Sequence, residues 1–329
     1  MPRLSAAGMV PELRKAAARF TAEDGRRGRL VTDTIVIAHH FSSRIRAYVL
    51  LTKPRVIELL LVTTVPAMVL ADGGLPSLTL IGAVLLGGAL AAGGANTINC
   101  WIERDRDRVM HRTRRRPLPA GQIEPTHALL FGIALEAVAF LWLWGAVNLL
   151  AASLAVSAML FYVFVYTIWL KPRSPQNIVI GGAAGAVPVL VGWAAVTGTL
   201  DAPAWVLFAI VFCWTPPHFW ALSLRYRDDY EAAGIPMLPV ARGTASAARQ
   251  ILVYSLIVVA VTLLLFRFES MGVVYLVAAV VLGAAFIWQA FGLQRDATAK
   301  RAMRLFTFSN TYLALLFAAI AVDTLIRAF

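Results

Sequence analysis

Apolar runs of about twenty residues recur along this chain after residue 50, and no other feature restricts its fold as much. In lipid every backbone N–H and C=O must be bonded within the protein, which leaves only helices and closed barrels. The runs are continuous and do not alternate, so a barrel is excluded and an all-α, polytopic membrane protein is expected. Composition agrees: of 329 residues 59% are hydrophobic and 15% charged, and the mean hydropathy is +0.72. A soluble domain of this length would carry more charge. Nine spans are expected. The first runs through LTKPRVIELLLVTTVPAMVLADGG, and the others lie near 78–103, 127–145, 149–170, 178–196, 205–224, 249–265, 273–291 and 305–325.

The formal charge of +12 raises the question of a nucleic-acid partner. The basic residues sit instead in alternate loops, ERDRDRVMHRTRRR, KPR, RYRDDYEAAG and QRDATAKRAMR, after spans two, four, six and eight. By the positive-inside rule these loops and the N-terminus are cytoplasmic, and no nucleic acid is implied. Residues 1–45 are polar and basic and lack the apolar centre of a signal peptide, so they read as a partly disordered cytoplasmic tail. Residues 46–329 read as the transmembrane domain. Cys100 and Cys213 have no CxxC neighbour, and the five histidines are scattered, so neither a disulfide nor a zinc site is expected.

Chemistry concentrates at NCWIERDRDRVMHRTRRRPLP, residues 99–119. Asn99, Glu103 and Asp107 recur every four residues and share a helix face, stepping about 6 Å each time. All three offer oxygen, the donor that hard cations such as Mg²⁺ take. Arg108, Arg112, Arg114, Arg115 and Arg116 follow directly and suit phosphate oxygens. The plain alternative is a solvated loop whose arginines only fix topology. It leaves an asparagine and a glutamate at the end of an apolar helix unaccounted for. Glu136 lies deep in span three, and Glu58, near Lys53, reads equally as a site residue or an interfacial one.

A second polar stretch, TPPHFWALSLRYRDDYEAAGIP, emerges on the same side. His218, Arg225 and Asp229 are spaced to line one face, which points the way the Asn99 face points if spans two and six are neighbours, with Asp228 an alternative to Asp229. Two acidic clusters about a diphosphate could hold Mg²⁺, while Lys53, Arg112, Arg116, Lys171 and Arg225 neutralise the remaining charge. The alternatives are an interfacial ion pair for Arg225–Asp229 and a packing role for His218 beside the Pro216–Pro217 kink.

These stretches resemble the UbiA-type intramembrane prenyltransferases, whose first motif is N-x-x-x-D-x-x-x-D and whose second is acidic. Within that superfamily LTKPRV at 51–56, NCWIERDRDRVMHRTRRRPLPAGQI at 99–123 and WTPPHFWALSLRYRDDYEAAGIPMLPVARG at 214–243 look most like the haem O synthases. Glu103 departs from the usual aspartate, and RYRDD from the usual second motif. The resemblance implies transfer of a farnesyl group from farnesyl diphosphate to a vinyl group of haem b, with addition of water, and a Mg²⁺ requirement. It also implies Asn99, Glu103, Asp107 and Asp229 as catalytic residues, His218 as a haem contact, and service to haem-copper oxidases. Haem A synthase or oxidase assembly factors are then candidate protein partners. The richness in arginine and alanine points to a bacterial inner membrane. A prenyltransferase of the same fold with a phenolic acceptor is the nearest rival. A transporter is disfavoured, because no internal repeat is visible and the polar groups cluster on one side.

Overall fold

The computed structural model describes residues 44–268 and 271–328. The chain divides into two units, 1–48 and 49–329, and the first is described only at 44–48, in helical conformation. The tail expected over 1–45 therefore lies, but for its last two residues, outside the described residues. Among those residues the chain is all helical, and nine helices are long and apolar enough to cross a membrane. They are α1 (Pro54–Asp72), α2 (Leu78–Val109), α3 (Pro125–Ala146), α4 (Leu149–Leu160, continuing to Leu170), α5 (Asn177–Thr197), α6 (Ala202–Arg225), α8 (Leu238–Phe268), α9 (Val273–Arg295) and α10 (Ala299–Ala328). A short α7 (Arg227–Ala232) follows α6.

The helix ends follow local chemistry. Proline opens α1, α3 and α6, where its missing N–H costs nothing. Ser77 and Asn148 cap α2 and α4 by accepting from the N–H groups of Leu80 and Ala151 at 3.3 and 2.8 Å. Gly73 and Gly198 end α1 and α5 in the left-handed conformation that a side chain would disfavour. Three elements depart from the expected straight spans. Span two runs on to Val109, a turn and a half past Glu103, and so carries the whole Asn99–Asp107 face. Span four turns into a π-helix over Phe161–Leu170. Span seven begins earlier than expected, at Leu238, and kinks at Gly243, whose φ of 78° and ψ of 164° suit only glycine.

α2 packs chiefly on α3, α1 on α5 and α10, and α6 on α5, α8 and α10. Spans two and six are thus not direct neighbours along their lengths, and their polar residues meet through loops. The α2–α3 crossing is close because it is built on glycine: a Cβ at Gly132 would come within 2.8 Å of Ile98 Cγ1, and one at Gly94 within 2.9 Å of the Gly132 carbonyl. The main apolar core lies among α5, α6, α8, α9 and α10. Leu130, Ile133, Leu141 and Trp144 stay exposed along the outer side of α3, as a lipid-facing stripe requires.

Candidate active site

The extended α2 places Asn99, Glu103 and Asp107 on one buried face, and each meets a different basic residue. Lys53 Nζ donates to Asn99 Oδ1 at 2.7 Å. Lys171 forms an ion pair with Glu103. Arg116 Nη1 donates to Asp107 Oδ2 at 2.7 Å. The result is a ladder of three acceptors, one helical turn apart, with a cation on each rung.

The cations come from three separate elements. Lys53 precedes α1 and holds φ at 54°, the one positive φ outside glycine among the described residues. That conformation costs on the order of 1 kcal/mol, and it aims the side chain across at α2. Lys171 ends the π-helix, its N–H bonded to the Tyr166 carbonyl five residues back at 2.8 Å. Thr167, one turn earlier, accepts from Asn99 Nδ2 at 3.0 Å and donates to the Tyr162 carbonyl at 2.8 Å. The i,i+4 pair Thr167–Lys171 therefore meets the i,i+4 pair Asn99–Glu103. Arg116 is supplied by the loop after α2, which folds back so that Thr113 Oγ1 donates to the Asp107 carbonyl at 3.0 Å.

Electrostatics separate the three cations. Burial alone would lower Lys171, but the Glu103 carboxylate outweighs it and holds the ammonium above the ordinary lysine value. Arg116 is raised in the same way, Asp107 overcoming the burial cost. Lys53 faces an amide, so burial pushes it below the usual value, helped by Arg116 and Lys171 nearby.

The second motif reaches the first through Asp229. Its carboxylate accepts from the His111 and Arg112 N–H groups at 3.2 and 3.1 Å and lies 3.3 Å from His111 Nδ1. Burial would raise Asp229, yet these backbone donors hold it below the ordinary carboxylate value. Arg112 reaches the Tyr230 hydroxyl at 3.3 Å and lies over the Tyr226 ring. The expected common face of Arg225 and Asp229 is not formed. The helix breaks at Tyr226, with φ −113° and ψ 29°, and puts the two residues on different helices. Arg225 is exposed and lies over the Tyr226 ring at 5.4 Å, and Asp228 is exposed.

His218 sits on α6 between Trp214 and Phe306, with ring centroids at 4.2 and 4.5 Å. Its Nδ1 lies 2.7 Å from Ser309 Oγ, which itself donates to the Phe306 carbonyl at 2.7 Å. A hydroxyl has one proton, so the imidazole donates from Nδ1 and keeps a lone pair on Nε2. Glu136 is buried against Gly94, and Glu58 is exposed.

Thr167, Thr113, Tyr162, Tyr166 and Ser309 are the residues that sequence reasoning missed. For Thr167 a signal existed: it precedes Lys171 by four, the spacing of the α2 face it meets.

Among the described residues, no three acidic, histidine or cysteine side chains converge to hold a metal ion by themselves. The α2 donor set is an amide and two carboxylates, all oxygen, in a row with cations at each position. Such a set fits Mg²⁺ as part of a metal–diphosphate complex, the ligand completing the coordination.

The chain is similar to known proteins over most of its length. A family model described as UbiA prenyltransferase family matches residues 60–316. A protoheme IX farnesyltransferase of Frankia alni is 56% identical over 288 residues, covering 87% of this chain and 100% of that one. Proteins of the same name from a Parafrankia species (54%, 91% of this chain and 94% of the other) and Clavibacter sepedonicus (50%, 91% and 97%) are similar along nearly their full lengths. Among solved structures, digeranylgeranylglyceryl phosphate synthase superposes with a TM-score of 0.71 at 17% identity, covering 86% of this chain and 99% of its own. A UbiA homologue of Archaeoglobus fulgidus bound to GPP and Mg²⁺ does so with 0.60 at 20% identity, covering 83% and 99%.

Proposed function

The chain belongs to the UbiA prenyltransferase family, and from that premise we propose that it transfers a farnesyl group from farnesyl diphosphate to a vinyl group of haem b. Water is added in the same reaction, and haem O and diphosphate are the products. The observation that carries the donor half is the ladder of acids and amide on α2, each with its own cation. The acceptor half rests on the near full-length relatives, whose name specifies protoheme and farnesyl.

Asn99, Glu103 and Asp107 would hold Mg²⁺, which when bound would withdraw charge from the diphosphate and make it a better leaving group. Lys53, Lys171 and Arg116 act as counter-ions that change partner. Lys171 and Arg116 balance the two carboxylates of the α2 face before the donor arrives, and Lys53 adds one positive charge in excess; all three then turn their N–H groups to the diphosphate oxygens. Arg112, fixed by Asp229 on its backbone and Tyr230 on its side chain, adds a fourth cation from the loop. As the allylic C–O bond breaks, its electron pair leaves with the diphosphate, and the vinyl π electrons form the new C–C bond. Tyr162 and Tyr166, stacked with centroids 5.5 Å apart beside Lys171, wall off water from the allylic cation. Water then adds to the resulting cation and releases a proton. His218, oriented by Ser309, presents Nε2 to haem. Asp229 anchors the second motif to the first and is available to the metal only through that junction. The site faces the cytoplasm in this reading, because its loops carry the arginines.

The test is turnover by the purified protein with haem b, farnesyl diphosphate and Mg²⁺, products resolved by mass spectrometry. A farnesylated, hydrated haem that disappears with EDTA is expected. Diphosphate release with a phenolic acceptor and none with haem would keep the donor site and discard the haem assignment.

A further inference from the structure

At the arginine-rich end of α9 and α10 a cavity of about 890 Å³ opens between the two helices, lined by none of the ladder's residues. Its lining includes Trp288, Arg295, Lys300, Arg301 and Arg304, four cations against the single carboxylate of Asp296. Two of the cations are already committed. Arg301 holds Asp296 at 3.2 Å and the Gly292 carbonyl at 2.7 Å, closing the end of α9. Arg295 lies over the Phe291 ring at 4.3 Å. Lys300 and Arg304 are exposed and have no ion partner among the described residues.

A second cavity of about 490 Å³ shares Gln289 and Arg304 with the first and continues along Thr307, Phe308 and Thr311. Lys300, Arg304, Thr307 and Thr311 are spaced by three or four, so they form one exposed stripe on α10. The stripe passes from cationic to uncharged over about 16 Å, and Leu315 extends it, half exposed. Gln289 Oε1 is buried in the shared wall with no hydrogen-bond partner. Trp288, 75% exposed, stands at the rim, where indole rings collect at a membrane–water interface.

We propose that this groove binds one anionic phospholipid. Its phosphate sits between Lys300 and Arg304, a headgroup hydroxyl donates to Gln289, and an acyl chain lies along Phe308 and Thr311. Charge complementarity selects the ligand: two unpaired cations require an anion, and the uncharged continuation past Phe308 to Leu315 accommodates a tail. A zwitterionic lipid would satisfy only the tail. A free phosphate would satisfy only the cations.

The test uses the full chain purified in detergent, stripped of lipid, then offered phosphatidylglycerol or phosphatidylcholine and weighed intact by native mass spectrometry. One phosphatidylglycerol should remain bound, with about tenfold preference over phosphatidylcholine, and Lys300→Gln with Arg304→Gln should remove that preference. In the unsubstituted protein, brominated phosphatidylglycerol should quench the part of the emission that Trp288→Phe removes, a readout that does not depend on the double variant folding. Equal retention of both lipids, unchanged preference in the double variant, or no quenching of Trp288 would overturn the proposal. Displacement by inorganic phosphate at the lipid's concentration would also overturn it, leaving an anion site only.

Discussion

Two regions of the protein bury carboxylates beside basic side chains, and they are built oppositely. At the ladder, Glu103 and Asp107 are met by Lys171 and Arg116, the ends of long side chains. At the other end of α10, Asp323 accepts from the N–H groups of Gly272 and Tyr275 at 2.6 and 3.1 Å, with Arg327 Nε at 3.0 Å. Asp323 therefore caps α9 from the neighbouring helix. Backbone donors cannot leave without unfolding a turn, whereas a lysine or arginine head can swing to a new anion. The difference in partner marks one acid as structural and the others as exchangeable, although their burial is alike.

The largest expected effect is at the ladder. Asp107→Ala should lower turnover by about 10²- to 10³-fold, because it removes a ligand of the metal that would take up the negative charge developing on the diphosphate. The fold should persist, measured as a melting temperature in detergent lowered by no more than a few degrees, because the half-buried Arg116 head can turn to solvent once its acid is gone. Activity above a tenth of the unsubstituted enzyme would remove Asp107 from the metal set.

Asp323→Ala should behave in the reverse way. It strands the backbone N–H groups of Gly272 and Tyr275, a loss of about 2–3 kcal/mol in stability. Turnover per folded molecule should stay within twofold. If turnover instead collapses while the melting temperature holds, the division into structural and exchangeable acids fails.

Lys171→Met falls between the two. It leaves Glu103 buried without its cation, so the empty enzyme should melt earlier, and the Michaelis constant for farnesyl diphosphate should rise about tenfold or more. Mg²⁺ with a non-reacting farnesyl diphosphate analogue should restore much of the lost stability, because the ligand supplies Glu103 with new positive charge. The same addition should do nothing specific for Asp323→Ala. A melting temperature of Lys171→Met that ignores the ligand would mean the rung is structural.

How much of this was legible in the sequence differs by element. The membrane class and the nine spans follow from apolar runs, because lipid enforces backbone satisfaction whatever the tertiary context. The α2 face was visible in the spacing of Asn99, Glu103 and Asp107, since a helix fixes what shares a face. The partners were less visible. Lys171 and Arg116 could be named as cations, but not which acid each meets, because that depends on how α4 and the loop after α2 come to rest. The π-helix carries no composition signal in FYVFVYTIWL, and it is what brings Thr167 to Asn99. The Arg225–Asp229 reading failed because spacing argues only within a continuous helix, and the backbone turns at Tyr226.

That failure supplies the smallest effect and the sharpest control. Arg225 and Arg116 look equivalent in the sequence, each a basic residue four to nine positions from an acid. In the structure Arg116 is half-buried on Asp107 at 2.7 Å, while Arg225 is exposed, lies against an aromatic ring and makes no ion pair among the described residues. Exposed charges away from such pairs contribute within about 0.5 kcal/mol, so Arg225→Ala should change the Michaelis constant for farnesyl diphosphate by about twofold or less. Arg116→Ala should raise it by about tenfold, as the loss of a charge-assisted hydrogen bond does. Paired titrations of the two variants against the donor measure the ratio directly. If the order is reversed, the diphosphate rests at the end of α6 and not along α2, and the ladder is a structural ion-pair network of the same kind as the Asp323 cap.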